Sequence, residues 1–402
     1  MAALAAHHGL LPSSSSSSSV APRIRRRRCS ALPFSYALPH GRSGCRAFAR
    51  VLTRATNDGG GSSSSSVAAA AATSAVSLSL EELRGGCTTW TWRGMRVNYL
   101  VRGQGPPVLL VHGFGASVAH WRRNIGVLSE SYTVYAIDLL GFGASDKPPG
   151  FAYTMETWAQ VNVLQSQLFD TGFLGRGGQE AAVLVGNSVG SLACVVAASE
   201  ATRGAVRGLV LLNCAGGMNN KAIVDDWRIK LLLPLLWLID FLLKQRPIAS
   251  ALFQRVKDRH AEILAQNNLK DILLSVYGNK DAVDDDLVEI IRGPAETEGA
   301  LDAFVSTVTG PPGPSPIALM PRLADVPVLV LWGDRDPFTP IDGPVGKFFS
   351  KLPSELPNVT LHMLEGVGHC PHDDRPDLVH DKLLPWLQGL PAPAAEAAGG
   401  AV

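Results

Sequence analysis

The first 57 residues contain no carboxylate and no lysine; the first acid is Asp58. Nine arginines occupy that same stretch. Setting them aside leaves 27 basic residues against 35 acidic ones, so the rest of the chain is acidic although the whole carries only +1. A charge so near zero leaves no electrostatic footprint for nucleic acid, and none is expected as a partner. Cysteine is scarce and scattered: Cys29, Cys45, Cys87, Cys194, Cys214 and Cys370, with no C-x-x-C. That excludes a disulfide framework and leaves no zinc spacing. Charged residues make up only 18% of the 402, whereas 46% are hydrophobic, which excludes collagen-like and wholly disordered chains and supplies a large core.

What the N-terminal stretch does contain is low in complexity. Serine fills positions 13–19, arginine 25–28, serine again 62–66 and alanine 68–72. Such sequence cannot bury enough apolar surface to offset its ordering entropy. It has no apolar h-region of the kind a secretory signal needs. Arginine-rich, serine-rich and acid-free composition points to an organelle transit peptide, and the serine and alanine content favours the chloroplast. Residues 1–75 are therefore expected to be transit peptide and linker, and 391–402 a tail.

The folded part is expected over 78–390. TTWTW (88–92) and MRVNYLV (95–101) flank Arg93-Gly94 and read as an antiparallel hairpin. Six apolar runs follow, each ending near glycine or a polar residue: 108–113, 132–141, 181–187, 206–213, 326–334 and 358–366. Helical patterns such as 153–169 and 190–202 alternate with them. Continuous apolar strands alternating with helices predict an α/β fold with a mostly parallel sheet covered on both faces.

One interval breaks the alternation. Residues 214–325 carry no strong strand signal and read as an inserted helical cap. Inside it, 229–243 holds 12 apolar residues, interrupted by Lys230, Pro234 and Asp240 and followed by Lys244 and Arg246. It is too short and broken to span a bilayer. It reads either as a buried core helix or as a greasy lid that covers an apolar substrate or dips into a membrane, with Leu235 and Leu238 as its candidate contacts.

Gly186-Asn187-Ser188-Val189-Gly190 lies between a predicted strand and a predicted helix, the context of a nucleophile elbow. A serine hydroxyl needs a base. His369 stands just after the last strand in Gly366-Val367-Gly368-His369, with His372 as the alternative. The base needs a carboxylate to fix its tautomer. Asp336, in the loop after the fifth of the six runs, is the candidate, and Asp334 the alternative. Two backbone N–H groups are needed for the oxyanion: Val189, after the nucleophile, and Phe114, in His112-Gly113-Phe114-Gly115. The chain order Ser188, Asp336, His369 is the nucleophile–acid–base order of α/β-hydrolases.

The stretches VLLVHGFGAS, AIDLLGFGASDKP, VGNSVGS, LWGDRDPFTP and GVGHCPHDDRPDLV resemble the α/β-hydrolase superfamily over about residues 88–390. Epoxide hydrolases and haloalkane dehalogenases share several of them but use aspartate where this chain has Ser188. More narrowly, the segments around 110–151 and 209–236, with DAFVSTVTGPPGP and VGHCPHDDRPDLVHDKLLPWL, resemble the plant chlorophyll dephytylases, relatives of the pheophytinases. The resemblance implies a thylakoid-associated chloroplast enzyme that cleaves the phytyl ester of chlorophyll. It maps the catalytic residues onto Ser188, Asp336 and His369. No cofactor and no protein-bound metal is implied; the expected partner is an ester with a long apolar tail, met at the membrane. A general plastid carboxylesterase or lipase, a carbon–carbon bond hydrolase and a ligand-sensing receptor share the same fold-level features.

Overall fold

The computed structural model describes residues 77–160, 181–201, 204–218 and 266–391, with a few positions between 255 and 261. The expected transit segment, the 229–243 run and the C-terminal tail lie outside the described residues. Eight strands form one sheet: β1 (Cys87–Trp92), β2 (Met95–Arg102), β3 (Pro107–Val111), β4 (Thr133–Ile137), β5 (Ala182–Asn187), β6 (Val206–Leu212), β7 (Val328–Gly333) and β8 (Val359–Leu364), in the order β1-β2-β4-β3-β5-β6-β7-β8. From β3 to β8 every pairing is parallel; β1–β2 and β2–β4 are antiparallel. Every run read from the sequence contains a strand. The hairpin turns on Arg93 (φ 48°) and Gly94 (φ 82°), the left-handed pair that matches strand twist.

The continuous apolar runs divide by the two-residue period of a strand. Leu109, Val111, Leu184, Leu209, Leu211, Val328 and Val330 face one layer, where α3 (Val189–Glu200), α2 (Met155–Ala159) and α7 (Pro344–Glu355) pack. Val108, Leu110, Val183, Val185, Val210, Leu212, Leu329 and Leu331 face the other, against α1 (Leu80–Gly86), Trp121, Ile125 and α8 (Pro376–Gly389). Both faces are buried, so the strands show no polar alternation. The fold is the mostly parallel α/β sheet that the sequence predicts.

The strand predicted over 132–141 stops at Ile137. The next residue is buried Asp138, whose N–H still donates to Asn98 O of β2 at 2.9 Å and whose carboxylate accepts hydrogen bonds from Asn98 Nδ2 (2.8 Å) and the backbone N–H groups of Val118 (2.6 Å) and Ala144 (2.8 Å). That carboxylate ties three separate segments together at the point where the chain leaves the ladder.

Between β6 and β7 the described elements are all helices, among them α4 (Gln266–Val276), α5 (Asp285–Ala295) and α6 (Ala300–Thr309). Asp284 caps α5 by accepting the Leu287 N–H at 2.8 Å. Leu269, Leu273, Tyr277, Val283, Leu287 and Val288 form a small core of their own, which also takes in Cys370. The insertion thus packs directly against the segment that follows His369. Among the described residues no helix is long and apolar enough to cross a membrane.

Candidate active site

Ser188 occupies the turn between β5 and α3 with φ 56° and ψ −120°, a backbone state that a non-glycine residue adopts only under constraint. The constraint is visible. Ser188 N–H donates to Leu212 O (2.9 Å), and its carbonyl accepts from Leu192 (3.2 Å) and Ala215 (3.2 Å). The two elbow glycines are required by space. A Cβ on Gly186 would stand 2.4 Å from Ser191 N, and one on Gly190 would stand 2.4 Å from the carbonyl oxygens of Val111 and His112. Backbone fills both positions, so α3 can approach β5 and β3 only without side chains there.

Asp336 and His369 meet. Nδ1 of His369 lies 2.8 Å from Oδ2 of Asp336. With Nδ1–H donated to the carboxylate, Nε2 is left as the basic nitrogen. Four further donors reach the same carboxylate: Asn213 Nδ2 (2.6 Å) and Thr339 Oγ1 (2.5 Å) to Oδ2, and the Phe338 (2.8 Å) and Thr339 (3.1 Å) N–H groups to Oδ1. Burial pushes the Asp336 carboxyl upward, but hydrogen bonds and charge from His369 and hydrogen bonds from Thr339 prevail and hold it at about 2. It is therefore ionised throughout the range in which a histidine titrates.

The histidine loop is fixed from two sides. Asn187 Nδ2 donates to the His369 carbonyl (3.0 Å) and to Leu212 O (3.3 Å), tying the residue before Ser188 to His369. From the insertion, Val276 O accepts the His369 N–H at 3.1 Å. Asp374 then accepts three backbone N–H groups: Gly278 (2.8 Å), Asn279 (2.7 Å) and Gly368 (2.6 Å). Beside them, buried Arg122 bridges Asp373 and Asp284 at 3.0 and 2.8 Å. His369 is held jointly by the sheet and by the return limb of the insertion.

The loop after β3 abuts Ser188: a Cβ on Gly113 would stand 3.4 Å from Ser188 Cβ. His112 shapes this loop. Its Nδ1 lies 2.7 Å from Gly113 O and its Nε2 accepts the Leu139 N–H at 3.0 Å, so both ring nitrogens serve backbone. The Phe114 ring packs edgewise on Phe142 and at a tilt on Phe304 of α6, each at 5.4 Å. Among the described residues, no hydrogen bond engages the backbone N–H of Phe114 or of Val189. Val189 begins α3, where the first helical N–H groups have no partner within the helix.

No hydrogen bond joins Ser188 Oγ to His369; such contacts often tighten only with substrate in place. His372, the alternative base, is buried and makes no hydrogen bond to Asp336. It packs against His120 and Trp121 at 4.6 and 4.2 Å, with no hydrogen-bond partner for either ring nitrogen. Asp334, the alternative acid, accepts the Gly366 and Val367 N–H groups locally. Leu235 and Leu238 lie outside the described residues. Sequence reasoning missed Asn187, Asn213, Thr339 and Asp374 as positioning residues. Only Thr339 carried a signal, since a hydroxyl three residues after an Asp and shortly past a proline marks a local turn. Among the described residues no group of three or more His, Cys, Asp and Glu is placed to hold a metal.

A strained serine at the strand-to-helix turn, a histidine–carboxylate pair at neighbouring strand ends and a glycine-containing loop beside them define the hydrolase class built on parallel α/β sheets. The chain belongs to the α/β hydrolase family, whose model matches residues 108–382. Chloroplastic pheophytinase of Arabidopsis thaliana is 28% identical over 344 residues, covering 75% of this chain and 66% of that protein. An uncharacterised hydrolase of Bacillus subtilis, YugF, is 25% identical over 288 residues, 70% of this chain and 89% of its own length. Among solved structures, a meta-cleavage product hydrolase from Pseudomonas fluorescens and the epoxide hydrolase CorEH both align with a TM-score of 0.54 at 20% identity. Each covers 75% of this chain, with 97% and 99% of the respective structures matched.

Proposed function

We propose that this chain is a serine esterase that cleaves the phytyl ester of a chlorophyll-type pigment, releasing phytol, and that it works in the chloroplast at the thylakoid surface. The observation that carries the catalytic part is the 2.8 Å pair of His369 Nδ1 and Asp336, tied through Asn187 to the strained Ser188. The likeness to pheophytinase supports the substrate class and the compartment.

In this reading, Nε2 of His369 takes the Ser188 proton as Oγ attacks the ester carbonyl. The Phe114 and Val189 N–H groups stabilise the oxyanion. His369 then protonates the departing alcohol oxygen, and water, activated by the same imidazole, releases the acyl group and regenerates Ser188. Asp336 stays ionised and stabilises the imidazolium. No cofactor takes part.

A phytyl tail resting in lipid gains little by entering an apolar pocket, because its surroundings are already apolar. Access at the membrane therefore matters more than pocket affinity. The apolar 229–243 run, with Lys244 and Arg246 behind it, has the composition for that contact. Polar substitutions at Leu235 and Leu238 should then lower turnover of membrane-held pigment more than turnover of a soluble ester. Equal loss on both would assign the run to the core.

The deciding experiment incubates the full chain with chlorophyll a, with pheophytin a and with a short nitrophenyl ester, beside Ser188→Ala. Pigment dephytylation by the parent and not by the variant supports the whole reading. Short-ester cleavage that depends on Ser188, without pigment turnover, would keep the catalytic residues and overturn the substrate.

A further inference from the structure

We infer that Phe338 contacts the alcohol half of the ester and sets a preference for long apolar alcohols. This rests on the esterase reading above. Phe338 is 60% exposed, the most exposed of the large hydrophobic side chains among the described residues. It is not a loose loop residue. Its N–H is held by Asp336 Oδ1 at 2.8 Å, the next residue bonds the same carboxylate through N–H and hydroxyl, and the Thr339 carbonyl accepts Trp332 Nε1 at 2.9 Å. The backbone on which the ring stands is pinned to the acid of the proposed triad, so the ring is presented to solvent from a fixed base. A ring held in this way and left exposed offers an apolar surface directly beside His369.

Its neighbour identifies which half of the substrate that is. The Phe338 ring stands edge-on to the His369 imidazole, with centroids 5.0 Å apart and planes at 83°. His369 must pass a proton to the leaving oxygen, which requires that oxygen within about 3 Å of Nε2. The first carbons of the alcohol therefore begin beside the imidazole, where the Phe338 ring is the adjoining apolar surface. The carbonyl oxygen points instead to the Phe114 and Val189 amides, with the Phe114–Phe142–Phe304 cluster behind them. The two aromatic surfaces thus serve different parts of one ester. A phenyl ring without a polar atom offers nothing to a short, hydrated alcohol and contact area to a long alkyl or isoprenoid one.

The test uses the full chain and two mirrored ester series in detergent. One has a butyryl acyl group with ethyl, decyl and phytyl alcohols; the other has an ethyl alcohol with butyryl, decanoyl and palmitoyl groups. The readout is the ratio of kcat/KM between long and short members for the parent, Phe338→Ser and Phe338→Leu. In the alcohol series the serine variant should lose about tenfold in that ratio, mainly through KM, and leucine should restore most of it. In the acyl series the ratio should hold. A parallel fall in both series, or a fall in the acyl series alone, would overturn the inference while leaving the esterase reading intact. No Ser188-dependent hydrolysis of any ester by the parent would overturn the esterase reading, and the inference with it.

Discussion

Asn213 Nδ2 and His369 Nδ1 hydrogen-bond the same oxygen, Oδ2 of Asp336, at 2.6 and 2.8 Å. Asn213 follows β6 and has φ 45°, a left-handed state that asparagine tolerates better than most residues. Its own oxygen accepts the Gly333 N–H at 3.0 Å, so one buried amide fixes both the acid and the end of the strand that carries it. Truncation in Asn213→Ala removes a bond to a charged group, which is worth about 1.5–3 kcal/mol. We expect kcat to fall roughly tenfold or more, and the melting temperature to fall with it. Because both donors reach one oxygen, a carboxylate at 213 would lie near the imidazole. Asp336→Asn alone should cost about 10⁴ in kcat by spoiling the tautomer. Adding Asn213→Asp should recover part of that loss. An unchanged double variant would show that only a carboxylate at 336 can serve the base.

Asp374 carries a load that its sequence context does not announce. Replacing it with alanine leaves the N–H groups of Gly278, Asn279 and Gly368 without their acceptor. The Gly368 N–H is buried, and leaving it unpaired costs on the order of 1–3 kcal/mol, whereas the half-buried Gly278 and Asn279 groups can turn to water at a smaller cost. We expect Asp374→Ala to lower the urea midpoint markedly and to lower kcat as well, since the His369 N–H bond to Val276 lies in the same junction. Wild-type stability in this variant would mean that the junction is held by packing alone.

The strands were legible because burial on both faces leaves long apolar runs, and the elbow because its glycines stand only two positions either side of the serine they serve. The pairing of His369 with Asp336 was legible as a role at a strand end. What escaped were residues whose role exists only across the fold. Asn213 is 123 positions from the carboxylate it holds, and Asp374 is 95 and 96 from the amides it caps in the insertion. A buried asparagine and an acid before Arg-Pro have no local signature that tells them from ordinary turn residues. Asp138 shows the same limit: nothing in its run marked it as the point where the strand ends.

Four histidines are buried in the neutral form. Burial lowers His120 and His380 to about 4, and it lowers His112 and His372 as well. In the unfolded chain each returns to about 6.5. Below that value the unfolded state binds protons that the folded state refuses, so stability falls as pH falls, by up to about 1.4 kcal/mol per pH unit for each of His120 and His380 and in the same direction for His112 and His372. Asp336 adds its own loss only below about 4, where its unfolded carboxyl protonates before the folded one. The urea midpoint should therefore drop between pH 7.5 and 5.5, and a flat profile would contradict the buried neutral state. His372 allows a sharper check. Its ring nitrogens have no hydrogen-bond partners, and the ring stands edge-on to His120 and tilted against Trp121. His372→Phe keeps the ring and removes two unsatisfied atoms. It should raise stability by about 1 kcal/mol at neutral pH, by more at pH 5.5, and leave ester turnover in place.

The elbow gives the most local prediction. A methyl group at Gly190 would sit 2.4 Å from two carbonyl oxygens, those of Val111 and His112. Both belong to backbone at the end of β3, where the Phe114 loop begins, and neither can rotate aside. Gly190→Ala must therefore push α3 away from β3 or displace the loop that offers the Phe114 amide. Either movement separates the two amides proposed for the oxyanion, and losing one such donor costs roughly 10²–10³ in kcat. Gly85, in α1, is the matched control, since a Cβ there meets nothing within 4 Å. Gly85→Ala should hold or raise stability by about 0.5 kcal/mol. If Gly190→Ala behaved like Gly85→Ala in both melting temperature and kcat, close approach of helix and strand would not be what positions the nucleophile.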